Sequence, residues 1–325
     1  MSDDWKPNCS TELIYVRAKL LHDIRAYFYA QNVLEVETPV LCHGAGTDPY
    51  LEHFHTDYAL TKNKRLYLQT SPEFAMKRLL SANPQSIYQI CKAFRQGEAG
   101  RFHNPEFSLL EWYRVGFNLQ QLMDDVERLL NPFITPVGYA DKAERISYRA
   151  VFAKYTGLDA LRFDGDLYMA AAEKQGFPEA KDLCATDHAA WLDFLFSHCV
   201  QAQLGKSALC MVYDYPACLP SLARVKQGEP LLVERVELFL QGIELGNGYY
   251  ELSDALEQKR RFEQDILLRE KNSAVKIAMD KRLLAALQSG LPDCSGIAIG
   301  LDRLLMVISQ TGSIDQVLAF SIENA

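Results

Sequence analysis

Strand-forming segments in this chain are connected by hairpins or by long excursions, and they do not alternate regularly with helices. The clearest pair is residues 87–94 and 107–113, two apolar segments joined by a polar loop that contains glycines. This pattern predicts an antiparallel hairpin. Parallel strands would instead need a crossover, usually a helix, between successive strands. The sequence therefore predicts an α+β fold, an antiparallel sheet flanked by helices, and not a doubly wound fold.

Helical patterns surround these strands. Apolar residues recur at helical spacing in residues 13–28. Residues 70–73 (Thr-Ser-Pro-Glu) predict the start of a second helix, because they combine a hydroxyl cap, a proline for the first turn and an acid. The pattern from about residue 141 to 205 is mostly helical, with Ser147 as a cap and Gly157 as an end.

Length and composition limit the function classes. The 325 residues show no repeat and no proline- and serine-rich linker, so we interpret residues 1–325 as one domain. The net charge of −8 argues against a nucleic-acid coat but does not exclude a local cationic groove for tRNA. The start lacks a secretion signal and no run of about 20 apolar residues follows, which predicts a cytoplasmic protein outside membranes. Eight scattered cysteines predict reduced thiols, mostly in the core.

Charged residues lie on the hairpin where a purely structural strand would avoid them. Glu111 shares a strand face with Phe107, Leu109 and Tyr113, so its carboxylate is either buried beside aromatic rings or aimed into a pocket. Arg95 enters the hairpin loop from the other strand. A structural ion pair between Arg95 and Glu111 is the alternative interpretation.

Three glutamates lie in a second strand-forming region. Glu237, Glu244 and Glu251 are interrupted by glycines that permit bulges, and a bulge can bring carboxylates together. Converging carboxylates need a cation, and Mg²⁺ holding a phosphate chain is the natural candidate. The alternative is a set of solvated acids on an edge strand.

Arg303 follows a short segment of small residues at a predicted helix start. A guanidinium at a helix N-terminus suits a phosphate group, and small residues let a ligand approach the backbone. An ordinary helix start is the alternative. From the residues alone, the chain is predicted to hold a magnesium-dependent nucleotide site on an antiparallel sheet.

Several motifs in this order resemble a known family. Residues 94–95 (Phe-Arg), 103–107 (His-Asn-Pro-Glu-Phe) and 111–113 (Glu-Trp-Tyr) resemble motif 2 of class II aminoacyl-tRNA synthetases of the lysyl type. Residues 34–39 (Leu-Glu-Val-Glu-Thr-Pro) resemble motif 1, a dimer-forming element, and residues 300–303 (Gly-Leu-Asp-Arg) resemble motif 3. The resemblance implies a class II catalytic domain with the mostly helical segment 141–205 inserted between motifs 2 and 3, and a homodimer.

Lysyl-tRNA synthetases carry an N-terminal β-barrel that reads the anticodon, whereas motif 1 begins almost at once in this sequence. That arrangement is similar to the family of bacterial elongation factor P lysine ligases. The resemblance implies that (R)-β-lysine, or lysine, is activated with ATP and Mg²⁺ as an aminoacyl-adenylate. The acyl group would then pass to the ε-amine of a lysine of elongation factor P.

The resemblance also assigns roles to residues. The catalytic residues would be Arg95, on the α-phosphate, and Arg303, on the γ-phosphate and the adenine. The expected ATP site consists of Arg95, Gln96, Gly97, His103, Asn104, Phe107, Glu244, Leu245, Gly300 and Arg303. The expected amino-acid pocket consists of Ser71, Pro72, Glu73, Glu111, Tyr113, Asn247, Glu251 and Ala298. Glu237 and Glu244 would hold Mg²⁺.

Two positions depart from the lysyl pattern. Gly97 stands where lysyl synthetases have a glutamate, and Glu98 follows it. Ala298 stands where they have a glycine, and its added methyl group would reshape the pocket floor by an amount worth about 1–3 kcal/mol in discrimination. We hypothesise that this methyl group disfavours α-lysine relative to β-lysine.

Two other functions stay open on the sequence. One is a truncated lysyl-tRNA synthetase that acylates tRNA, and the missing barrel and the net charge of −8 count against tRNA as a partner. The other is a catalytically silent regulatory paralogue, which would not need to keep the residues expected to bind phosphate and magnesium, Arg95, Glu237, Glu244 and Arg303.

Overall fold

The structure is a computed structural model, and it describes residues 5–59, 65–272 and 275–325. The helices are α1 (Thr11–Ala30), α2 (Glu73–Ala82), α3 (Leu119–Ile134), α4 (Tyr148–Thr156), α5 (Gly165–Lys174), α6 (Ala180–Cys184), α7 (His188–Leu195), α8 (Ala255–Lys271), α9 (Lys281–Ser289) and α10 (Leu301–Ile308). The strands are β1 (Leu34–Glu35), β2 (Leu41–Cys42), β3 (His55–Asp57), β4 (Arg65–Leu68), β5 (Ile87–Phe94), β6 (Glu106–Val115), β7 (Ala140–Ser147), β8 (Ala208–Pro216), β9 (Leu232–Leu240), β10 (Ile243–Tyr250) and β11 (Cys294–Gly300).

The chain divides into two compact units. Unit 1 comprises the chain up to Phe117 and from Ser253 onward, and unit 2 comprises Asn118–Leu252. In unit 1 the strand order is β1-β5-β6-β11, with β1 parallel to β5 and the other neighbours antiparallel. A smaller antiparallel sheet in the order β2-β4-β3 lies in the same unit. The predicted antiparallel hairpin is confirmed, and its first strand has the predicted bounds.

Helix α1 packs on one face of the unit 1 sheet. Phe28 is fully buried, stacks on Tyr88 of β5 with ring centroids 4.3 Å apart, and meets Trp112 of β6 edge-on at 5.5 Å. Tyr88 and Trp112 are direct register partners, so they share this face. Since successive side chains on a strand alternate between faces, Glu111 points to the opposite face. One face of the sheet thus holds the apolar core and the other holds the carboxylate.

Helix α10 is fixed to the sheet through Asp302, which is 1% exposed. The Ser108 amide donates to its Oδ2 at 2.7 Å, and Arg17 of α1 donates to its Oδ1 at 2.5 Å. A buried carboxylate with these charged and backbone partners stabilises the junction of α1, β6 and α10. Asp302 therefore holds the helix that carries Arg303.

Unit 2 contains the strand order β7-β8-β9-β10, with β7 parallel to β8 and the others antiparallel. The sequence pattern does not predict β7 or β8. The predicted mostly helical segment holds for α4 to α7, but its first residues form β7. Ser147 caps α4 and Gly157 ends it with φ +77°, as predicted.

The eight cysteines are free thiols. Four of them are buried and Cys218 is exposed, so the expectation of mostly core thiols holds only for the buried half. Within the described residues, no helix is long and apolar enough to cross a membrane.

Candidate active site

Two arginine side chains, from distant parts of the sequence of unit 1, lie at the loop between β5 and β6. Arg95 directly follows β5, its amide donates to the Pro105 carbonyl at 2.9 Å, and its guanidinium lies over the Phe107 ring at 5.1 Å. The Arg95 Nη1 also approaches Glu98 Oε1 at 3.5 Å. Gly97 turns the chain at φ +84°, in the left-handed region that favours glycine. Arg95 therefore pairs with Glu98 next to an exposed turn.

Arg303 reaches the same loop from the first turn of α10. Its Nη2 lies 2.7 Å from His103 Nε2, and its Nε donates to the Phe102 carbonyl at 3.1 Å. Gly300 is the residue before this helix, with φ −72°, so its role there does not depend on left-handed backbone. Residues that are 200 positions apart in the sequence thus meet at one loop.

Asn104, another predicted ATP-site residue, bonds to two other parts of the chain. Its Nδ2 donates to the Glu106 carbonyl at 2.6 Å, and its Oδ1 accepts from the Ile322 amide at 3.0 Å. The side chain is 6% exposed. Asn104 therefore joins the hairpin loop to the C-terminal segment.

Glu111 is the centre of a buried polar cluster on the sheet face opposite α1. It is 2% exposed, accepts from the Ser71 hydroxyl at 2.6 Å and accepts from the Tyr113 hydroxyl at 2.7 Å. Burial, and next the charge of Glu73, raise the pKa of Glu111 to about 7, although the two hydroxyl groups oppose the shift. The predicted structural pair between Arg95 and Glu111 is wrong, because each residue bonds to other groups; the Glu111 carboxylate is instead buried beside the aromatic ring of Tyr113.

Glu73 begins α2 beside this cluster, directly after Pro72. The hydroxyl of Ser71 accepts from the Glu73 amide at 3.1 Å, so it helps to start the helix and also contacts Glu111. The sequence pattern predicts Pro72 in the first turn of the helix. This is wrong, because Pro72 precedes the first helical residue. Lys77 donates to Glu73 at 2.6 Å and is 1% exposed.

Two residues on the neighbouring strands lie directly beside Glu111. Ala298 of β11 is the direct register partner of Glu111, which places its methyl group beside the carboxylate. Gln89 of β5 is the partner on the other side and is 3% exposed. The sequence reasoning missed Gln89 and Lys77. The four-residue spacing of Glu73 and Lys77 on a helix was a usable signal for the second.

Unit 2 holds a second polar cluster, centred on Glu237. Arg235 Nη2 donates to its Oε1 at 2.5 Å, and the Arg235 Nε donates to Asn247 Oδ1 at 3.2 Å. Asn247 is the register partner of Glu237 and donates its Nδ2 to the Tyr249 hydroxyl at 2.8 Å. The Arg235 guanidinium also lies 4.5 Å from the centre of the Tyr215 ring.

The glycine-interrupted strand β10 contains the predicted bulge. The register with β9 shifts between Glu244 and Gly246. Burial raises the pKa of Glu237 to about 7, Arg235 opposes this shift, and the Glu244 charge adds to it. Glu237 and Glu244 therefore interact, and the side chain of Glu237 is only 12% exposed. The alternative of solvated edge acids is wrong for Glu237.

The remaining predicted residues of this region are buried. Leu245 is 2% exposed, and Glu251 is 1% exposed. The Glu251 carbonyl accepts from Arg224 Nε at 3.2 Å, just beyond the end of β10. Across the described ranges, no group of three or more His, Cys, Asp or Glu side chains is arranged to hold a metal ion. The interacting pair Glu237 and Glu244 offers carboxylate oxygens, the ligand type that Mg²⁺ prefers.

Comparisons with known proteins extend over the whole chain. The family model "tRNA synthetases class II (D, K and N)" matches residues 4–324. A relative from Pasteurella multocida, named "Elongation factor P--(R)-beta-lysine ligase", is 42% identical over 99% of this chain and 99% of its own. Relatives with the same name from Mannheimia succiniciproducens and Haemophilus influenzae strain PittGG are 41% and 40% identical, each over 99% of this chain and 98% of their own.

Proposed function

Because this chain belongs to the class II tRNA synthetase family (D, K and N), together with its relatives named elongation factor P (R)-β-lysine ligases, we propose that it is an ATP-dependent ligase of that kind. It activates (R)-β-lysine, or lysine, and transfers the acyl group to a lysine of elongation factor P. The observation that carries this proposal is the 42% identity, over 99% of both chains, to a relative named as such a ligase. The polar clusters of the two units supply suitable chemistry.

The first step needs cations where negative charge accumulates. The substrate carboxylate attacks the α-phosphorus of ATP, the bond to pyrophosphate breaks, and an aminoacyl-adenylate forms. Arg95 and Arg303 stabilise the charge on the phosphate oxygens, since both guanidinium groups already lie at the β5–β6 loop. For Arg95 to bind a phosphate it must exchange its Glu98 contact, which at 3.5 Å is a weak one to lose.

The Glu111 cluster suits the ammonium groups of the substrate. An amino acid with two ammonium groups that meets Glu111 and Glu73 forms charge-assisted hydrogen bonds with these carboxylates. Ser71 and Tyr113 hold the Glu111 carboxylate in place, and Lys77 holds Glu73. The pocket therefore selects a substrate by the position of its positive charges.

The carboxylates of Glu237 and Glu244 are proposed to hold Mg²⁺. Their mutual repulsion fits this role, because a divalent cation relieves it. When bound, Mg²⁺ neutralises phosphate charge. Arg235 holds Glu237 in position through its 2.5 Å hydrogen bond.

In the second step the ε-amine of the acceptor lysine, deprotonated at the moment of attack, takes the acyl group, and AMP leaves. Elongation factor P as the acceptor, and a homodimer as the assembly, belong to this proposal. Acylation of tRNA and a silent regulatory role are not favoured, because the full-length relatives are named as protein ligases.

Exchange of labelled pyrophosphate into ATP tests the activation step. With Mg²⁺ and (R)-β-lysine, the protein is expected to exchange, and Arg303→Ala is expected to lower the rate by about 100-fold or more. Arg282→Ala, on the exposed side of α9, is the matched control and should exchange at the unaltered rate. Undiminished exchange by folded Arg303→Ala would contradict the assigned role, and no exchange by the unaltered protein would contradict the proposed function.

A further inference from the structure

Arg269 in the last turn of α8 is a buried cation whose partners lie outside its own helix. It is 1% exposed. Its Nη1 donates to the carbonyls of Asp48 and Leu51 at 2.7 and 2.8 Å, and its Nη2 donates to Glu52 Oε1 at 3.0 Å. The Nη2 and Nε also contact the Val275 carbonyl, at 3.2 and 3.3 Å. One guanidinium thus gathers three positions of the segment 48–52.

Segment 48–52 is bonded to the loop between β5 and β6. The Glu52 carbonyl accepts from the Gln96 amide at 3.0 Å, directly after Arg95. A continuous series of hydrogen bonds therefore runs from α8 through Glu52 to the turn that carries Arg95. Since residues 48–51 form no regular helix or strand, their conformation depends on such contacts.

A second contact connects α8 to Thr47, the residue just before segment 48–52. The Thr47 hydroxyl donates to Asp265 Oδ2 at 2.8 Å, and Thr47 is 2% exposed. Asp265 lies one helical turn before Arg269, so both side chains face residues 47–52. Helix α8 thus fixes this segment at Thr47 and again at residues 48–52.

His53 links the two arginines electrostatically. Its ring is 5% exposed, and neither ring nitrogen has a hydrogen-bond partner among the described residues. Burial first, then the charges of Arg269 and Arg95, lower its pKa to about 4. Both guanidinium groups therefore act on this one buried ring.

We propose that Arg269 is a positioning residue for ATP. By fixing segment 48–52 it fixes the Glu52 carbonyl, and this carbonyl orients the Gln96 amide and the Arg95 turn before the nucleotide arrives. The ordering cost of the loop is then met during folding and not during binding, which strengthens nucleotide affinity. The inference rests on the proposed ATP-binding role of Arg95.

Two substitutions separate the charge of Arg269 from its geometry. Arg269→Lys keeps the charge but loses the planar fork of five N–H donors with which the guanidinium reaches four residues together, and Arg269→Gln loses the charge as well. Arg260→Lys and Arg260→Gln, at an exposed position of the same helix, are the matched controls. Because the buried variants can fail to fold, Thr47→Val is a second probe that leaves Arg269 in place.

The readouts are the dissociation constant of ATP with Mg²⁺, measured by calorimetry, and the separate KM values for ATP and (R)-β-lysine in pyrophosphate exchange. Both Arg269 variants are expected to raise the ATP dissociation constant and KM by about tenfold, with the lysine KM changed less than twofold. Thr47→Val should shift the same ATP values by about threefold. The Arg260 controls should change neither.

Equal shifts in both KM values, or a lower melting temperature with unchanged ATP affinity, would overturn the positioning role and leave Arg269 as a purely structural residue. If Arg269→Lys binds ATP as tightly as the unaltered protein, charge and not geometry is responsible and the proposal is wrong. ATP binding without exchange by the unaltered protein would refute the proposed function but not this inference. Absence of ATP binding would refute both.

Discussion

Glu111→Gln is expected to stabilise the ligand-free protein at alkaline pH. Burial, and next Glu73, raise the pKa of Glu111 from 4.5 to about 7. Below pH 4.5 the carboxyl group is protonated in both the folded and the unfolded chain. As the pH rises from 4.5 to about 7, the unfolded chain ionises first, so the free energy of unfolding falls, and it becomes level above that window.

The size of this effect follows from the same two values. A tenfold difference in proton affinity corresponds to about 1.4 kcal/mol, so the full window is worth about 3 kcal/mol. Gln has the shape of Glu and keeps hydrogen-bonding groups for Ser71 and Tyr113, but it has no charge to bury. The variant should therefore be more stable than the unaltered protein by about 3 kcal/mol at pH 8 and by less than about 1 kcal/mol at pH 5.

Urea unfolding at pH 5 and pH 8, without ligands, measures the difference. Glu106→Gln is the matched control, since Glu106 begins the same strand, is half exposed and pairs with Lys92 at 3.3 Å on the surface. It should change stability by less than about 0.5 kcal/mol at either pH. A Glu111→Gln effect of equal size at both pH values, or a less stable variant at pH 8, would refute the reasoning.

The same variant should lose substrate affinity. In the unaltered protein, an ammonium group compensates the buried charge of Glu111, so lysine should raise the melting temperature. In Glu111→Gln that rise should be absent and the KM for (R)-β-lysine at least about tenfold higher. Stability gained together with affinity lost would mark Glu111 as a residue kept for binding.

Three further substitutions give independent predictions. Ala298→Gly should shift the ratio of activation rates by about tenfold toward α-lysine in pyrophosphate exchange, and an unchanged ratio would contradict the steric hypothesis. Cys91→Ser should retain adenylate formation, because burial and Glu111 raise the pKa of the thiol to about 12 and leave it neutral; a folded but inactive variant would overturn this. Asp302→Asn should lower the free energy of unfolding by about 2 kcal/mol or more, because it weakens the buried bonds to Arg17 and Ser108; unaltered urea unfolding would argue against it.

Some of the fold is readable from the sequence and some is not. The strand Ile87–Phe94 has clear apolar runs and a polar loop after it, so its bounds were predictable. The strand Ala140–Ser147 has an exposed, highly charged pattern, and such edge strands carry little hydrophobic periodicity. The strand Ala208–Pro216 is almost wholly buried, and a short buried run cannot be told from a helical segment by period alone.

The candidate site, too, is only partly predictable from the sequence. The shared face of Glu111 and Tyr113 follows from strand alternation, and the structure adds the hydroxyl of Ser71. Contacts between Arg303 and His103 join segments 200 residues apart, and no local pattern encodes them. Only the resemblance to class II synthetases suggested that these two residues belong to one site.

Transfer of label to a defined acceptor tests the proposed function most directly. The purified protein would be incubated with ATP, Mg²⁺ and labelled (R)-β-lysine, with unmodified elongation factor P in one reaction and total tRNA in the other. We expect label on the protein acceptor, lost in Arg303→Ala, and none on tRNA. Label on tRNA, with elongation factor P unlabelled, would contradict the proposed protein ligase and indicate a truncated synthetase.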